Sequence, residues 1–270
     1  MTITRKPFEA AGPTDELTYV GKSPARIDGL DKVSGAARYV DDLDFGPDLL
    51  FAEVVETPHA HAINKSIDTS KAEAVPGVVK VVTGADFPYG FGLYMKDRYD
   101  YAQDRVRYVG EQVAAVVARD EGIAKRSAKL VQVYYDVLEP VFDPEFAATD
   151  EAPHLQPELA DYPHVPWFFP HDDTHIAHWR KTRKGDVEEG FATADLVFED
   201  SYEVPRYAHC AIEPHAVVSR YDQAGRLTMW SASQSPYTQR HVIAEALEPL
   251  GLTHQQIRVI TPYVGGGFGG

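Results

Sequence analysis

The last forty or so residues constrain the fold of this chain more than any other stretch. The apolar pattern predicts a strand over 227–233, an amphipathic helix over 237–250 and a strand over 256–263. Val242, Ile243, Ala246, Leu247 and Leu250 share one face of that helix, and Gly251 is placed to end it. This order is a β–α–β unit. If its strands are parallel, the crossover is right-handed and both carboxyl ends lie on the same sheet edge. One end carries Gln234, within Ser233-Gln234-Ser235-Pro236. The other carries Val264-Gly265-Gly266-Gly267-Phe268-Gly269-Gly270. Ligands of open α/β sheets sit beyond the carboxyl ends of the strands. Topology therefore brings Gln234 and the glycine run together across a long gap in sequence.

Glycines packed around a single phenylalanine leave the backbone bare, so that it can take positive φ angles and present N–H groups to a polar ligand. Phe268 can wall off one side of such a ligand while its own amide donates. A P-loop would need Lys-Ser/Thr after the glycines, and a dinucleotide fingerprint would need a helix there; neither follows. A loose tail or a generic phosphate loop stays open on these residues alone.

Upstream, strands are expected over 49–56, 78–83, 113–118 and 130–135, with a helix over 121–129 giving a strand–helix–strand order. Residues 1–18 read as an extended arm and 19–143 as an α/β domain. Residues 144–184, punctuated by Pro144, Pro153, Pro157, Pro163, Pro166 and Pro170, read as a linker draped over a surface. A second domain is expected over 185–270, opening with a helix over 187–194 capped by Asp186. Strands over 196–204 and 217–221 follow, the latter joined to 227–233 by the turn Asp222-Gln223-Ala224-Gly225. The fold class is α+β.

With 41 acidic against 26 basic residues, net charge −15, the chain repels phosphate backbones and anionic membranes; neither a nucleic-acid nor a membrane role is expected. No apolar run reaches a membrane span, and the first residues carry none that suits a secretory signal. Cys210, the only cysteine, fits a reducing compartment, and the cytoplasm is the expected location. Cys210 itself reads as a small buried hydrophobe. His171, His175 and His178 could line one helical face as a metal site, but Pro163, Pro166 and Pro170 argue against a helix there, and no metal ligand is assigned. The aromatic stretch from Phe87 to Tyr101 reads as a loop packed on its own domain.

The glycine run preceded by the Gln234 strand end resembles the first molybdopterin-binding segment of the xanthine dehydrogenase/aldehyde oxidase family. Other motifs agree in order: Arg26-Ile27-Asp28-Gly29 with Lys32-Val33-Ser34-Gly35, Pro58-His59-Ala60-His61-Ala62, Val106-Arg107-Tyr108-Val109-Gly110-Glu111-Gln112, Val133-Tyr134-Tyr135 before Leu138-Glu139-Pro140, and Ile212-Glu213-Pro214-His215. The resemblance implies a hammerhead-type α/β domain over 19–143 followed by the first part of the molybdenum-cofactor-binding domain. It implies cofactor contacts for Gln234, Gly266, Gly267, Phe268 and Gly269, with Gln234 approaching the metal's oxo ligand. The bound group would be molybdenum-molybdopterin in its cytosine dinucleotide form, the pterin itself supplying the metal's sulfur ligands.

The family's catalytic glutamate lies far downstream of the glycine loop, so no residue here is assigned as catalytic; Glu213 matches a structural position. The chain thus reads as the N-terminal part of the large subunit, inactive alone. Completed by further polypeptide, it would oxidise an aldehyde or N-heteroaromatic small molecule with water as the oxygen source. The implied partners are the remaining half of the molybdenum subunit, an iron–sulfur subunit and a flavin (FAD) subunit, since iron–sulfur clusters need several cysteines. Two other readings remain: a non-catalytic, partner-binding half of a split subunit, and a small-molecule binding protein holding phosphate on the glycine loop.

Overall fold

The computed structural model describes residues 17–171 and 173–269; most of the expected N-terminal arm and the terminal Gly270 lie outside the described residues. Chain order begins with helix α1 (Gly29–Ser34) and a 3₁₀ turn over Val40–Asp42, then strands β1 (Phe51–Glu56) and β2 (Ala62–Asp68), helix α2 (Ser70–Glu73), and strands β3 (Val78–Thr83), β4 (Arg105–Val106) and β5 (Gln112–Ala118). Helix α3 (Glu121–Ala128), strand β6 (Gln132–Val137) and helix α4 (Pro144–Ala147) follow. The last part holds helix α5 (Val187–Thr193), strands β7 (Val217–Tyr221) and β8 (Leu227–Ser231), helix α6 (Pro236–Leu247) and strand β9 (Ile257–Ile260).

The first six strands form two antiparallel sheets, ordered β1-β5-β3 and β4-β2-β6. Strand β5 sits centrally, and Val113, Ala114, Ala115 and Val116 are all buried, as a strand covered on both faces requires. Its neighbour α3 starts where Asp120 accepts a hydrogen bond from the Ile123 amide, and it buries Ala124, Ser127 and Ala128. The expected strand–helix–strand order is present over β5, α3 and β6, but the two strands belong to different sheets. Strand β2 had no counterpart in the sequence pattern. Its Asn64, Lys65 and Ser66 interrupt the apolar alternation, and pairing with β4 and β6 imposes the strand.

At one end of the second sheet, just before β2, His61 is buried. Its Nε2 lies 2.8 Å from the Arg105 guanidinium, which can only donate, so the ring proton sits on Nδ1 and is given to the Glu139 carbonyl at 2.7 Å. The motif around His59 and His61 thus ties strand ends together. Residues 144–184 are held by backbone bonds: Lys96 N–H donates to Pro163 O, and Val165 N–H donates to Tyr94 O. Tyr94 also packs edge-on against Trp167. The aromatic loop therefore packs on the proline-rich segment as well as on its own sheet, and its Phe91–Met95 stretch shares a smaller cavity of about 300 Å³ with Val242 of α6.

The third sheet has order β7-β8-β9, with β7 antiparallel and β9 parallel to β8. Helix α6 joins the two parallel strands, which establishes the β–α–β unit. The turn after β7 is closed by Asp222, whose Oδ1 accepts from the Ala224 and Arg226 amides, while Gly225 takes a φ of 76°. Helix α6 ends at Leu247, and a 3₁₀ turn over Glu248–Leu250 carries the chain to Gly251 at φ 82°. Leu250 falls in that turn and is half exposed rather than on the packed face.

Two expectations fail. No strand forms over 196–204: no neighbouring described segment offers it a ladder. For the same reason Cys210 is exposed, since no layer covers this stretch, and it adopts a left-handed φ of 48°.

Residues 31–45 reach across to the third sheet. Tyr263, just beyond β9, donates its phenol to Asp31 at 2.5 Å and packs against the Tyr39 ring. Phe45 meets Trp230 of β8 edge-on, with centroids 5.0 Å apart.

Candidate functional site

Strands β8 and β9 run in parallel, so their carboxyl ends open onto the same edge. Ser231, the last residue of β8, is 5% exposed, and its hydroxyl accepts from the Gln239 amide at 2.8 Å, one helical turn into α6. Pro236 occupies the first turn of α6, where a missing N–H costs nothing. Between these fixed points Ser233 and Gln234 project from the strand end. Arg240 donates through Nε and Nη2 to the His254 carbonyl, which pins the far side of α6 to the turn before β9.

The glycine run after β9 folds back onto that edge. Gly269 N–H donates to Gln234 Oε1 at 3.2 Å. A Cβ built on Gly267 would overlap Gln234 Oε1 and lie 2.6 Å from its Cδ. Any larger residue there would push Gln234 out of the edge. Gly266, at φ 155°, leaves room for the Phe268 ring, whose Cε2 would stand 2.7 Å from an added Cβ. Phe268 takes a left-handed φ of 51° and stays largely exposed, folding its ring over Gly266. Gln234, Gly266, Gly267, Phe268 and Gly269 are therefore brought together.

Glu213 holds the loop from the other side. Its Oε2 accepts from Gly265 N–H at 2.6 Å, a charge-assisted bond, and its Cβ and main chain lie so close to Gly265 that only glycine fits there. The sequence reading left Glu213 a structural role; the geometry makes that role one of aiming the glycine loop. Gln239 and Ser231 were not foreseen. A glutamine at the start of a helix carries no distinctive signal, and only the parallel pairing of β8 with β9 gives it a partner.

These elements enclose a cavity of about 650 Å³. One wall comprises Ser231, Ser233, Gln234, Gln239, Gly266 and Gly267, and the facing wall is the stretch from Ala208 to Val217. Cys210, His209 and His215 line that facing wall. The histidines weighed for a metal are engaged elsewhere: His175 Nε2 contacts the Pro153 carbonyl, and His178 accepts from Phe169 N–H and stacks on Phe168. Among the described residues, no group of three or more His, Cys, Asp or Glu side chains is placed to hold a metal ion.

The cavity fits a flat, polar heterocyclic cofactor that carries its metal on its own sulfurs. Its floor is a cradle that a Cβ on Gly266 or Gly267 would fill, and its mostly apolar lining carries the Gln234 and Gln239 amides, the Ser231 and Ser233 hydroxyls and a single carboxylate, Glu213. The volume lies within the range of cofactor pockets, about 300–1,000 Å³.

Comparison with known proteins agrees with this geometry. Residues 168–270 match the molybdopterin cofactor-binding domain, and residues 34–139 match the a/b hammerhead domain of aldehyde oxidase and xanthine dehydrogenase. A probable xanthine dehydrogenase component of Bacillus subtilis is 37% identical over 92% of this chain, which spans 31% of that relative. The nicotinate dehydrogenase large molybdopterin subunit of Eubacterium barkeri is 34% identical over 94% of this chain, which spans 56% of that protein. Carbon monoxide dehydrogenase from Oligotropha carboxidovorans superposes with a TM-score of 0.79 at 33% identity, covering 92% of this chain and 31% of its own. The chain thus spans between about a third and just over half the length of these relatives. With a hammerhead domain followed by the start of a molybdenum-cofactor-binding domain, it belongs to the xanthine dehydrogenase/aldehyde oxidase family.

Proposed function

We propose that this chain forms one wall of the molybdenum-cofactor site of a molybdenum hydroxylase, which oxidises an aldehyde or N-heteroaromatic molecule with water as the oxygen source once further polypeptide completes it. The observation that carries this reading is the meeting of Gln234 with the glycine loop at one sheet edge, over a cavity of cofactor size. When bound, molybdopterin supplies the two-electron redox centre. The chain's own groups would do the rest: Gln234 would offer its side-chain amide to the bound group, and the Gly266–Gly269 backbone would approach it without side chains in the way. Glu213 aims that loop, and the Phe268 ring closes one side.

Glu213 is the only carboxylate among the residues lining the cavity, and it is already bonded to Gly265 N–H. The family resemblance assigns the general base, which must come within about 3 Å of the proton it takes, to the completing polypeptide, and on that reading the isolated chain has no turnover. Electrons leave through iron–sulfur and FAD groups held on other polypeptide, since the single cysteine here cannot ligate a cluster. The cytosine dinucleotide form is the proposed cofactor, and the cytoplasm the proposed location, both resting on family likeness.

Metal and pterin content of the complex purified through this chain tests the reading. Stoichiometric molybdenum, oxidised-pterin fluorescence and released cytidine monophosphate are expected. Gln234→Ala should keep the pterin and lose most of the turnover. Full occupancy and rate in both Gln234→Ala and Gly267→Ala would overturn the assignment.

A further inference from the structure

The crossover from β8 to α6 runs over 232–235 and carries Gln234, which is exposed and so is not held by packing. Its position therefore depends on what secures the two ends of the crossover. On the strand side, Ala232 N–H donates to Ala216 O at 3.1 Å. On the helix side the usual device is missing. Among the described residues no side chain caps α6: the Ser235 hydroxyl donates to the Thr238 hydroxyl at 2.8 Å instead of accepting from a first-turn amide. Gln239 takes over that task. Its Nε2 donates to Ser231 Oγ at 2.8 Å, a bond that reaches back across the whole crossover.

This bond is a poor source of stability. Gln239 Oε1 is buried and has no hydrogen-bond partner among the described residues. Solvent does not reach that oxygen, so added polypeptide cannot partner it while this packing holds. Leaving a buried acceptor unpaired costs at least as much as one neutral hydrogen bond returns. An apolar pair of similar shape at 231 and 239 would therefore fold no worse. What an apolar pair lacks is direction, because a hydrogen bond sets both the distance and the angle between strand end and first helical turn. Gln239 also lines the same cavity as Gln234, so the crossover it orients is the one that opens onto the candidate site.

We propose that Gln239 is a positioning residue: by tying the start of α6 to Ser231, it sets where the Gln234 amide stands in the cavity. This role rests on the reading of Gln234 as a group offered to the bound cofactor. Gln239 acts through Gln234 and leaves the glycine loop, which meets the cavity from β9, in place. Its loss should therefore spare cofactor binding and appear in the rate. A misplacement of about 1 Å can cost on the order of 10²-fold even when it originates away from the reacting atoms.

The test replaces the pair together, Ser231→Ala with Gln239→Leu. Urea unfolding and the NMR signals of the Gln234 side-chain amide and the Gly269 N–H are measured on the full chain without cofactor. Molybdenum, pterin, kcat and KM are measured on the complex purified through it. The urea midpoint should be no lower than that of the unchanged chain, while both NMR signals move toward the values of unbonded amides. In the complex, molybdenum and pterin content should hold, kcat should fall about tenfold or more, and KM should change by less than about twofold. Added to Gln234→Ala, the pair should cost nothing further, since both act through one amide. A lower midpoint would make Gln239 a stabilising residue only and overturn the proposal. So would unmoved signals, or a loss of kcat that adds in full to that of Gln234→Ala. Signals that move in a chain whose complex holds no molybdenum or pterin sink the cofactor reading alone, whereas a loaded complex with unmoved signals sinks the positioning role alone.

Discussion

At the scale of single residues, the candidate site depends on one carboxylate that holds its loop. The Glu213 carboxylate accepts from Gly265 N–H at 2.6 Å and sets where the loop begins its return to Gln234. A hydrogen bond to a charged group contributes about 1.5–3 kcal/mol, and about 1.4 kcal/mol is a factor of ten in an equilibrium. Glu213→Ala should therefore lower molybdenum and pterin content about tenfold or more at limiting cofactor. Glu213→Gln, which keeps an acceptor oxygen, should lose much less. Cofactor occupancy of the two variants, with exchange at the Gly265 amide, checks the contrast. Asp222 makes a second, pH-dependent case. Hydrogen bonds from the Arg226 backbone, its guanidinium and the Ala224 amide hold the carboxyl below its ordinary value. A lowered folded-state value means that its contribution is complete above the unfolded carboxylate range near pH ~4 and is lost as pH falls through the folded value. Amide shifts of Ala224 and Arg226 should stay flat from pH ~7 to ~5 and move only in stronger acid.

At the scale of elements, helix α3 is held at one end by the Asp120 side chain accepting from Ile123 N–H, and it packs beside the buried strand β5. Asp120→Ala should cost about 1 kcal/mol in urea unfolding of the hammerhead domain, the usual worth of an N-cap, and leave the cofactor edge unchanged. Elements of this kind were legible in the sequence because cap, periodicity and packing agree: α3, α5, β3, β5 and the β7–β8 turn fall within a few residues of expectation. The meeting of Gln234 with the glycine run was legible too, since parallel strands joined by a helix leave little choice of edge. Strand β2 was not, because only three apolar residues mark it, and its structure is dictated by β4 and β6, far away in sequence. The stretch 196–204 shows the reverse case. Its alternation is that of a strand, yet a strand needs a neighbour's backbone, and alternation within one segment cannot reveal whether the neighbour is present. Gln239 and Ser231 were hidden for a similar reason: their bond exists only once α6 lies on the sheet.

Across the whole molecule, the residues before the hammerhead strands act as a clasp on the cofactor half. Asp31, Tyr39 and Phe45 come from the opening motif and the turn after it, but their partners are Tyr263 and Trp230, beside and within the third sheet. Strand β8 carries Trp230 directly before Ser231, so the clasp bears on the strand that ends at Gln234. Phe45→Ala removes an edge-on aromatic pair, about 0.5–1.5 kcal/mol beyond the area it buries, and opens the indole to water. Trp167 and Trp179 are already more than half exposed, whereas Trp230 is only partly so, and a change in its environment should therefore dominate the emission signal. The expected result is a red shift in tryptophan emission, with new protease cleavage between 213 and 235, beyond that at the already exposed 181–210 stretch, while β1–β6 stay resistant. If emission and cleavage are unchanged, the clasp contributes nothing to the cofactor edge. If β1–β6 open first, Phe45 stabilises the hammerhead instead. Tyr263→Phe, which deletes only the phenol bond to Asp31, should give the same cleavage pattern in weaker form, because it loosens the adjoining strand end by one hydrogen bond and leaves the Tyr39 ring contact in place.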